Sequence, residues 1–186
     1  MLGCGADDEE QRAVDVPDVG AQGVTVSQVA IYQGLKRTLM LDGAPQPDSV
    51  PLVAGRDGLL RIFYDTDGDY DGEPVTGSLQ LPGHEPLETT TVLVASSVEE
   101  DLETTVNIAV PGSLIGRSFD YRLALAQPEA QSREDNPDAR YPEDRPYESV
   151  PVEGPHNTLR IIIAPFAYEA DGSGRIPNTS PEQIES

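Results

Sequence analysis

The chain has 186 residues, of which 33 are acidic and 12 are basic, so its formal net charge is −21. This length suits one domain with tails, and 17 glycines with 17 prolines predict many turns around a modest core. Such an acidic chain repels nucleic acid and anionic lipid surfaces, so both are excluded as expected partners. No apolar run approaches the roughly 20 residues of a membrane span, and a single cysteine rules out an intrachain disulfide.

The first residues resemble the end of a bacterial lipoprotein signal. Leu2 and Gly3 precede Cys4, the only cysteine, and an acidic polar stretch follows. We therefore interpret residues 1–23 as a lipobox remnant and a disordered acidic tether. Lipidation of Cys4 would hold the protein in the cell envelope or outside the cell, in contact with a membrane only through that anchor. If Met1 is the true start, no export signal is present and the protein stays in the cytoplasm.

Residues 24–126 carry the alternation of apolar and polar residues that is typical of strands. The predicted strands are Val24–Gln33, Leu35–Leu41, Val50–Ala54, Leu87–Ser96, Leu102–Val110 and Phe119–Ala126, together with the two arms of a central hairpin. A slip in the alternation near Ser27 and Gln28 predicts a β-bulge. Short strands at this spacing, without a convincing helix, predict an all-β fold, an immunoglobulin-like antiparallel β-sandwich.

The stretch Val53–Leu81 is expected to form that central hairpin. Its first arm is rich in Leu, Ile and Phe, its second arm carries Val75 and Leu79, and the sequence DTDGDYDGE between them is too polar to be anything but a turn.

The C-terminal third differs in composition. Residues 127–157 hold many prolines, acids and arginines, and we expect a long connector there. Thr158–Phe166 is a nearly continuous apolar run, which predicts a strand buried on both faces. Residues 158–186 therefore form a C-terminal strand and a polar tail, and could begin a further domain.

The acidic turn is the one place where the sequence suggests a metal. Asp65, Asp67, Asp69 and Asp71 alternate around glycines, and the last three match the first half of a calcium-binding loop. The second half fails, because Ser78 stands where a bidentate glutamate is required. Two readings stay open: a calcium site, or a solvated acidic turn at the end of a sheet.

No other motif predicts catalysis. His84 and His156 are the only histidines, too few for a self-contained zinc site, which needs about three protein ligands. Ser173 lies in a polar DGSG turn without a histidine to serve it. Tyr121 reads as a core or corner tyrosine. Tyr141 and Tyr147 could offer a sugar- or peptide-binding surface, or could simply anchor their loop.

Two stretches resemble a known family. The sequence VAGRDGLLRIF at Val53–Phe63 is similar to a strand in the N-terminal β domain of bacterial secreted lipoproteins that carry a zinc metallopeptidase domain. IAPFAY at Ile163–Tyr168, followed by DGSGRIP at Asp171–Pro177, resembles the entry into that peptidase domain, and QVAIYQGLKRTLM within Val24–Leu41 also fits. The zinc-binding helix of the family is absent here, so the resemblance transfers no catalytic residue.

The expected function is that of a non-catalytic accessory or scaffold domain of a surface lipoprotein, associated with a metallopeptidase and not itself an enzyme. Its partner would be a downstream peptidase domain or a protein or glycan ligand, with no nucleic acid. The alternative is a free-standing calcium-dependent adhesion or ligand-binding module, with calcium as its possible cofactor.

Overall fold

The computed structural model describes residues 19–47, 50–127, 134–154, 171–175 and 180. The chain divides into two compact units, Met1–Pro155 and His156–Ser186. In the described part of the first unit the strands are β1 (Val24–Tyr32), β2 (Lys36–Leu41), β3 (Ala44–Pro45), β4 (Leu52–Val53), β5 (Gly58–Thr66), β6 (Val75–Gln80), β7 (Leu87–Thr91), β8 (Val106–Val110), β9 (Ser118–Ala126), β10 (Arg140–Tyr141) and β11 (Glu148–Glu153).

The strands form two sheets. The first has the order β3-β2-β1-β5-β8, and the second has the order β4-β11-β9-β6-β7, with β10 also paired to β9. The all-β sandwich prediction is therefore confirmed, and the described residues contain no α-helix, only three short 3-10 helices. One feature departs from an antiparallel sandwich, because β4 and β11 pair in parallel. The immunoglobulin-like connectivity stays a prediction.

The period-two pattern of β1 places its apolar side chains in the core. Val24 and Val26 are buried before a register shift against β5, and Val29 and Ile31 are buried after it. The shift lies between Val26 and Gln28, so the predicted bulge is confirmed. The bulge is what keeps apolar side chains on the inner face although the sequence alternation slips there.

The predicted central hairpin is wrong. β5 lies in the first sheet and β6 in the second, so the acidic segment 67–74 crosses from one sheet to the other. The physical reason is that both edges of β5 are already occupied, by β1 and by β8. β6 instead pairs with β7 and β9, and all six of its residues are buried.

Three strands are clearly shorter than predicted. The predicted strand Val50–Ala54 is extended only at Leu52–Val53, and the predicted strand Leu87–Ser96 ends at Thr91. In the predicted strand Leu102–Val110, only Val106–Val110 is extended, and Leu102–Thr104 is a 3-10 helix. The carboxylate of Asp101 accepts a hydrogen bond from the N–H of Glu103 and starts a helical turn there. The alternation of a strand therefore does not extend to Leu102, which is 53% exposed.

The region predicted as a connector contributes strands to the sandwich. Residues 140–141 pair with one end of β9, and residues 148–151 pair with the other end. Tyr141 and Val150 from this region are buried in the core. Their apolar side chains fix this Pro-rich chain to the sheet, so the described residues 134–154 belong to the domain.

The predicted tether is also docked at its C-terminal end. Gly20 bridges to Ala126, and the N–H of Ala21 donates to the carbonyl of Leu125 at 2.8 Å. Ala21 is fully buried. The rest of the tether (residues 1–18, with Cys4) and the predicted strand Thr158–Phe166 lie outside the described residues. Among the residues that are described, no helix is long and apolar enough to cross a membrane.

Candidate functional site

The acidic turn is built from hydrogen bonds between carboxylates and the backbone. The Oδ1 atom of Asp67 accepts a hydrogen bond from the N–H of Asp69 at 2.8 Å, and the Oδ1 atom of Asp71 accepts one from the N–H of Glu73 at 3.0 Å. Each is the local Asx contact by which an aspartate bends its own chain. These two predicted calcium ligands therefore shape the crossing between the sheets.

The same turn is anchored to two neighbouring segments. The side-chain amide of Gln127 donates to the Oδ1 atom of Asp71 at 2.9 Å. On the other side, the N–H of Asp67 donates to the carbonyl of Gly23 at 3.0 Å. Gly23 has φ +64°, and a Cβ there would lie 2.2 Å from the backbone nitrogen of Tyr70, so only glycine fits.

The four predicted calcium ligands are not brought together. Asp65 instead lines a separate cleft of about 330 Å³. Other residues that line this cleft include Asp42, Asp138 and Arg140. Within the described residues, no group of three or more His, Cys, Asp or Glu side chains is placed to hold a metal ion. The calcium site stays a prediction, and Asp67 and Asp71 already use carboxylate oxygens within the turn.

A buried arginine, which sequence reasoning missed, organises the outer face of the first sheet. Arg61 of β5 is only 4% exposed. Its guanidinium donates to the carbonyls of Glu99 at 3.0 Å and Asp101 at 3.1 Å, and to the hydroxyl of Thr105 at 3.2 Å. It also lies 4.8 Å from the centroid of the Phe63 ring. Arg61 thus holds residues 97–105, which we call the strap, against the sheet.

The strap carries a second polar contact through Glu99. Its carboxylate accepts hydrogen bonds from Lys36, the only lysine, and from the hydroxyl of Tyr32. These donors, Lys36 first, hold the pKa of Glu99 below its usual range. Burial, followed by the hydrogen bond to Glu99, raises the pKa of Tyr32.

The tyrosines are part of the core and its anchors. Tyr121 is fully buried, its ring stacks on Phe119 at 5.5 Å, and burial raises its pKa. Its hydroxyl has no hydrogen-bond partner among the described residues, so Tyr121 is a core residue and not a corner tyrosine that bonds to the backbone. Tyr141 is buried beside it, donates to Glu148 at 2.9 Å, and has its pKa raised by that burial to about 12. Tyr147 is half-buried. The contacts of Tyr141 agree with the reading in which this loop is anchored to the sheet.

The other groups considered in the sequence analysis are His84, His156 and Ser173. His84 lies in an exposed loop after β6, and His156 lies outside the described residues. Ser173 belongs to the second unit, where its N–H donates to Asp171 and its hydroxyl accepts from Arg175. Hydrogen bonds from Ser173 lower the pKa of Asp171. The polar-turn interpretation of Ser173 fits these contacts.

Comparison with known proteins gives no match: no family model fits the chain, and neither a curated protein nor a solved structure is detectably similar to it. The resemblance to lipoproteins with a metallopeptidase domain therefore stays a prediction from the quoted residues.

Proposed function

We propose that the chain is a non-catalytic scaffold domain of a bacterial surface lipoprotein and that it supports or presents substrate to an associated zinc metallopeptidase. One observation supports its non-catalytic part: three polar side chains that could have done chemistry are used to hold the backbone. Asp67 and Asp71 bend the crossing between the sheets, and Arg61 binds the strap.

The direction of the pKa shifts supports a structural role for these groups. The carboxylate of Glu99 has its pKa lowered, while burial raises that of the Tyr121 and Tyr141 hydroxyls. Each shift moves the pKa of the group further from neutral pH. A general acid or base works best with a pKa near the working pH.

The N-terminal attachment supports a tethered domain. The chain joins the sandwich at Gly20, whose N–H donates to the Oδ1 atom of Asp135 at 2.9 Å, and at the buried Ala21. Gly20 cannot carry a side chain, because a Cβ there would lie 2.0 Å from the carbonyl oxygen of Asn136. A lipid on Cys4 would therefore tether the domain through residues that are fixed to the sandwich.

The non-catalytic claim is tested by incubating the purified protein with fluorescently labelled casein, with and without added Zn²⁺. We expect no hydrolysis above that of the buffer. Zinc-dependent cleavage that is lost in both His84→Ala and His156→Ala would overturn the proposal, whereas cleavage that survives both changes would reveal a contaminating peptidase.

A further inference from the structure

A cleft of about 380 Å³ lies between the turn that joins β1 to β2 and the strand β4. Its lining residues are Gln33, Gly34, Leu35, Arg37, Val50, Pro51, Leu52, Val53 and Arg56. Among the described residues that line it are two arginines and no carboxylate, in a chain where acids outnumber basic residues by 33 to 12. The volume is within the range of small-molecule sites, and an apolar lining with a few polar groups is their usual character.

One lining side chain, that of Gln33, fixes the backbone on the other side of the cleft. The carboxamide nitrogen of Gln33 donates to the carbonyls of Val53 at 3.1 Å and Arg56 at 2.7 Å, and its oxygen accepts from the N–H of Val53 at 2.8 Å. Gln33 is itself buried. A ligand would therefore meet a formed site and would not have to order it.

The two arginines of the cleft differ in exposure. Arg37 is 4% exposed and its Nη1 atom donates to the carbonyl of Val50 at 2.8 Å. Arg56 is exposed, and its guanidinium lies over Gly34, with Nη2 3.0 Å from where a Cβ would be. In the part of the chain that the structure describes, the Arg56 guanidinium has no hydrogen bond and no ion pair. It is therefore available to an anion.

We propose that this cleft binds a short aliphatic carboxylate of the fatty-acid type, with its carboxylate on Arg56 and its hydrocarbon against the exposed residues Leu35 and Pro51. The planar guanidinium matches a carboxylate with two parallel hydrogen bonds. Leu35 is 69% exposed, and covering it with hydrocarbon favours binding.

The backbone of β4 distinguishes this ligand from a peptide. An extended peptide would need free backbone groups at the edge of β4. The N–H and carbonyl of Val53 are bonded to Gln33, and the carbonyl of Val50 is bonded to Arg37. A ligand with a carboxylate and a hydrocarbon chain needs none of these groups. Such binding goes beyond the scaffold role and does not depend on it.

The test is a titration of the 15N-labelled protein with octanoate, kept below its micelle concentration, followed by amide chemical shifts. We expect saturable shifts at Gln33, Leu35 and Val53. Arg56→Gln should weaken binding about tenfold or more, as expected for the loss of a charged hydrogen-bonded pair. Arg117→Gln, at another exposed arginine outside the cleft, is the matched control and should bind as the unchanged protein does.

Two further probes decide between ligand chemistries. 1-Octanol lacks the charge, and N-acetyl-leucine carries a carboxylate with a peptide amide. Weaker binding of both than of octanoate supports the proposal. No saturable octanoate binding, equal binding to Arg56→Gln, equal binding of 1-octanol, or tighter binding of N-acetyl-leucine would overturn it. Because Arg56 and Leu35 are exposed, Arg56→Gln and Leu35→Ser should both fold, and Leu35→Ser should also weaken octanoate binding.

Discussion

Gly77 of β6 and Val106 of β8 face each other across the sandwich so closely that a Cβ on residue 77 would lie 2.5 Å from the Cγ1 atom of Val106. The two strands belong to different sheets. Their approach fixes the distance between the sheets at the centre of the core.

Gly77→Ala should therefore lower the free energy of unfolding by about 1–3 kcal/mol, the usual cost of overpacking a core. Urea denaturation measures this directly. Gly68→Ala is the matched control, because nothing lies within 4 Å of its Cβ position, and it should be close to neutral. If the clash with Val106 is the cause, adding Val106→Ala should cost less in the Gly77→Ala background than alone. Additive effects of the two changes would contradict this explanation.

The buried guanidinium of Arg61 should contribute more to the free energy of unfolding than any exposed charge in the domain. Arg61→Leu leaves the carbonyls of Glu99 and Asp101 without their donor, and we expect a loss of about 2–4 kcal/mol. Hydrogen exchange should become faster in the strap, residues 97–105. Arg117→Leu, at an exposed position, should change neither quantity. Unchanged exchange in the strap would contradict the role given to Arg61.

The pairing of Glu99 predicts a dependence of stability on pH. Its pKa is lowered in the folded state by Lys36 and then Tyr32, so ionised Glu99 stabilises the fold above the pKa of the unfolded chain. That stabilisation is lost as the pH falls through the folded pKa. Glu99→Gln should be less stable at neutral pH by less than about 1 kcal/mol, because the side chain is half exposed.

The difference between Glu99→Gln and the unchanged protein should shrink as the pH falls through the lowered folded pKa of Glu99 and disappear below it. Thermal melts at a series of pH values measure it. A difference that stays constant with pH would mean that Glu99 acts through packing and not through its charge.

Two neighbouring aspartates of the acidic turn should behave differently. Asp71 accepts hydrogen bonds from Glu73 and Gln127, so Asp71→Ala should cost about 1 kcal/mol. The carboxylate of Asp69 forms no hydrogen bond or ion pair in the described part of the chain, so Asp69→Ala should be nearly neutral. Equal losses for the two variants would show that charge, and not hydrogen bonding, matters in this turn.

A melt in EDTA and then in millimolar Ca²⁺ tests the calcium alternative on the same turn. With Asp67 and Asp71 engaged by backbone N–H groups, we expect no shift of the melting temperature. A clear rise with Ca²⁺ that is abolished by Asp67→Ala with Asp69→Ala would restore the adhesion or ligand-binding interpretation.

The sequence predicted the elements whose pattern is local. β1 with its bulge and β9 with its alternation are found within one or two residues of their expected bounds. The pairing partners of a strand could not be predicted in this way. Whether β5 has a free edge for β6 depends on β8, which lies more than forty residues later in the chain. Local pattern therefore predicted a hairpin where the chain crosses between sheets.

The same limit applies to the candidate site. An arginine on the polar side of an alternating strand is expected to be exposed, and the burial of Arg61 depends on the strap that covers it. Alternating aspartates suggest metal ligands, but the sequence does not say which of their oxygens are taken by backbone N–H groups. The sequence therefore showed the spacing of the carboxylates but not their hydrogen-bond partners.

The central claim is that this domain is held at a bacterial surface by Cys4. The most direct measurement is expression of the natural gene in its source organism with an alkyne analogue of palmitate, followed by fractionation and detection of label on the protein. We expect label and recovery with membranes, and loss of both in Cys4→Ser. An unlabelled protein in the soluble cytoplasmic fraction would contradict the claim.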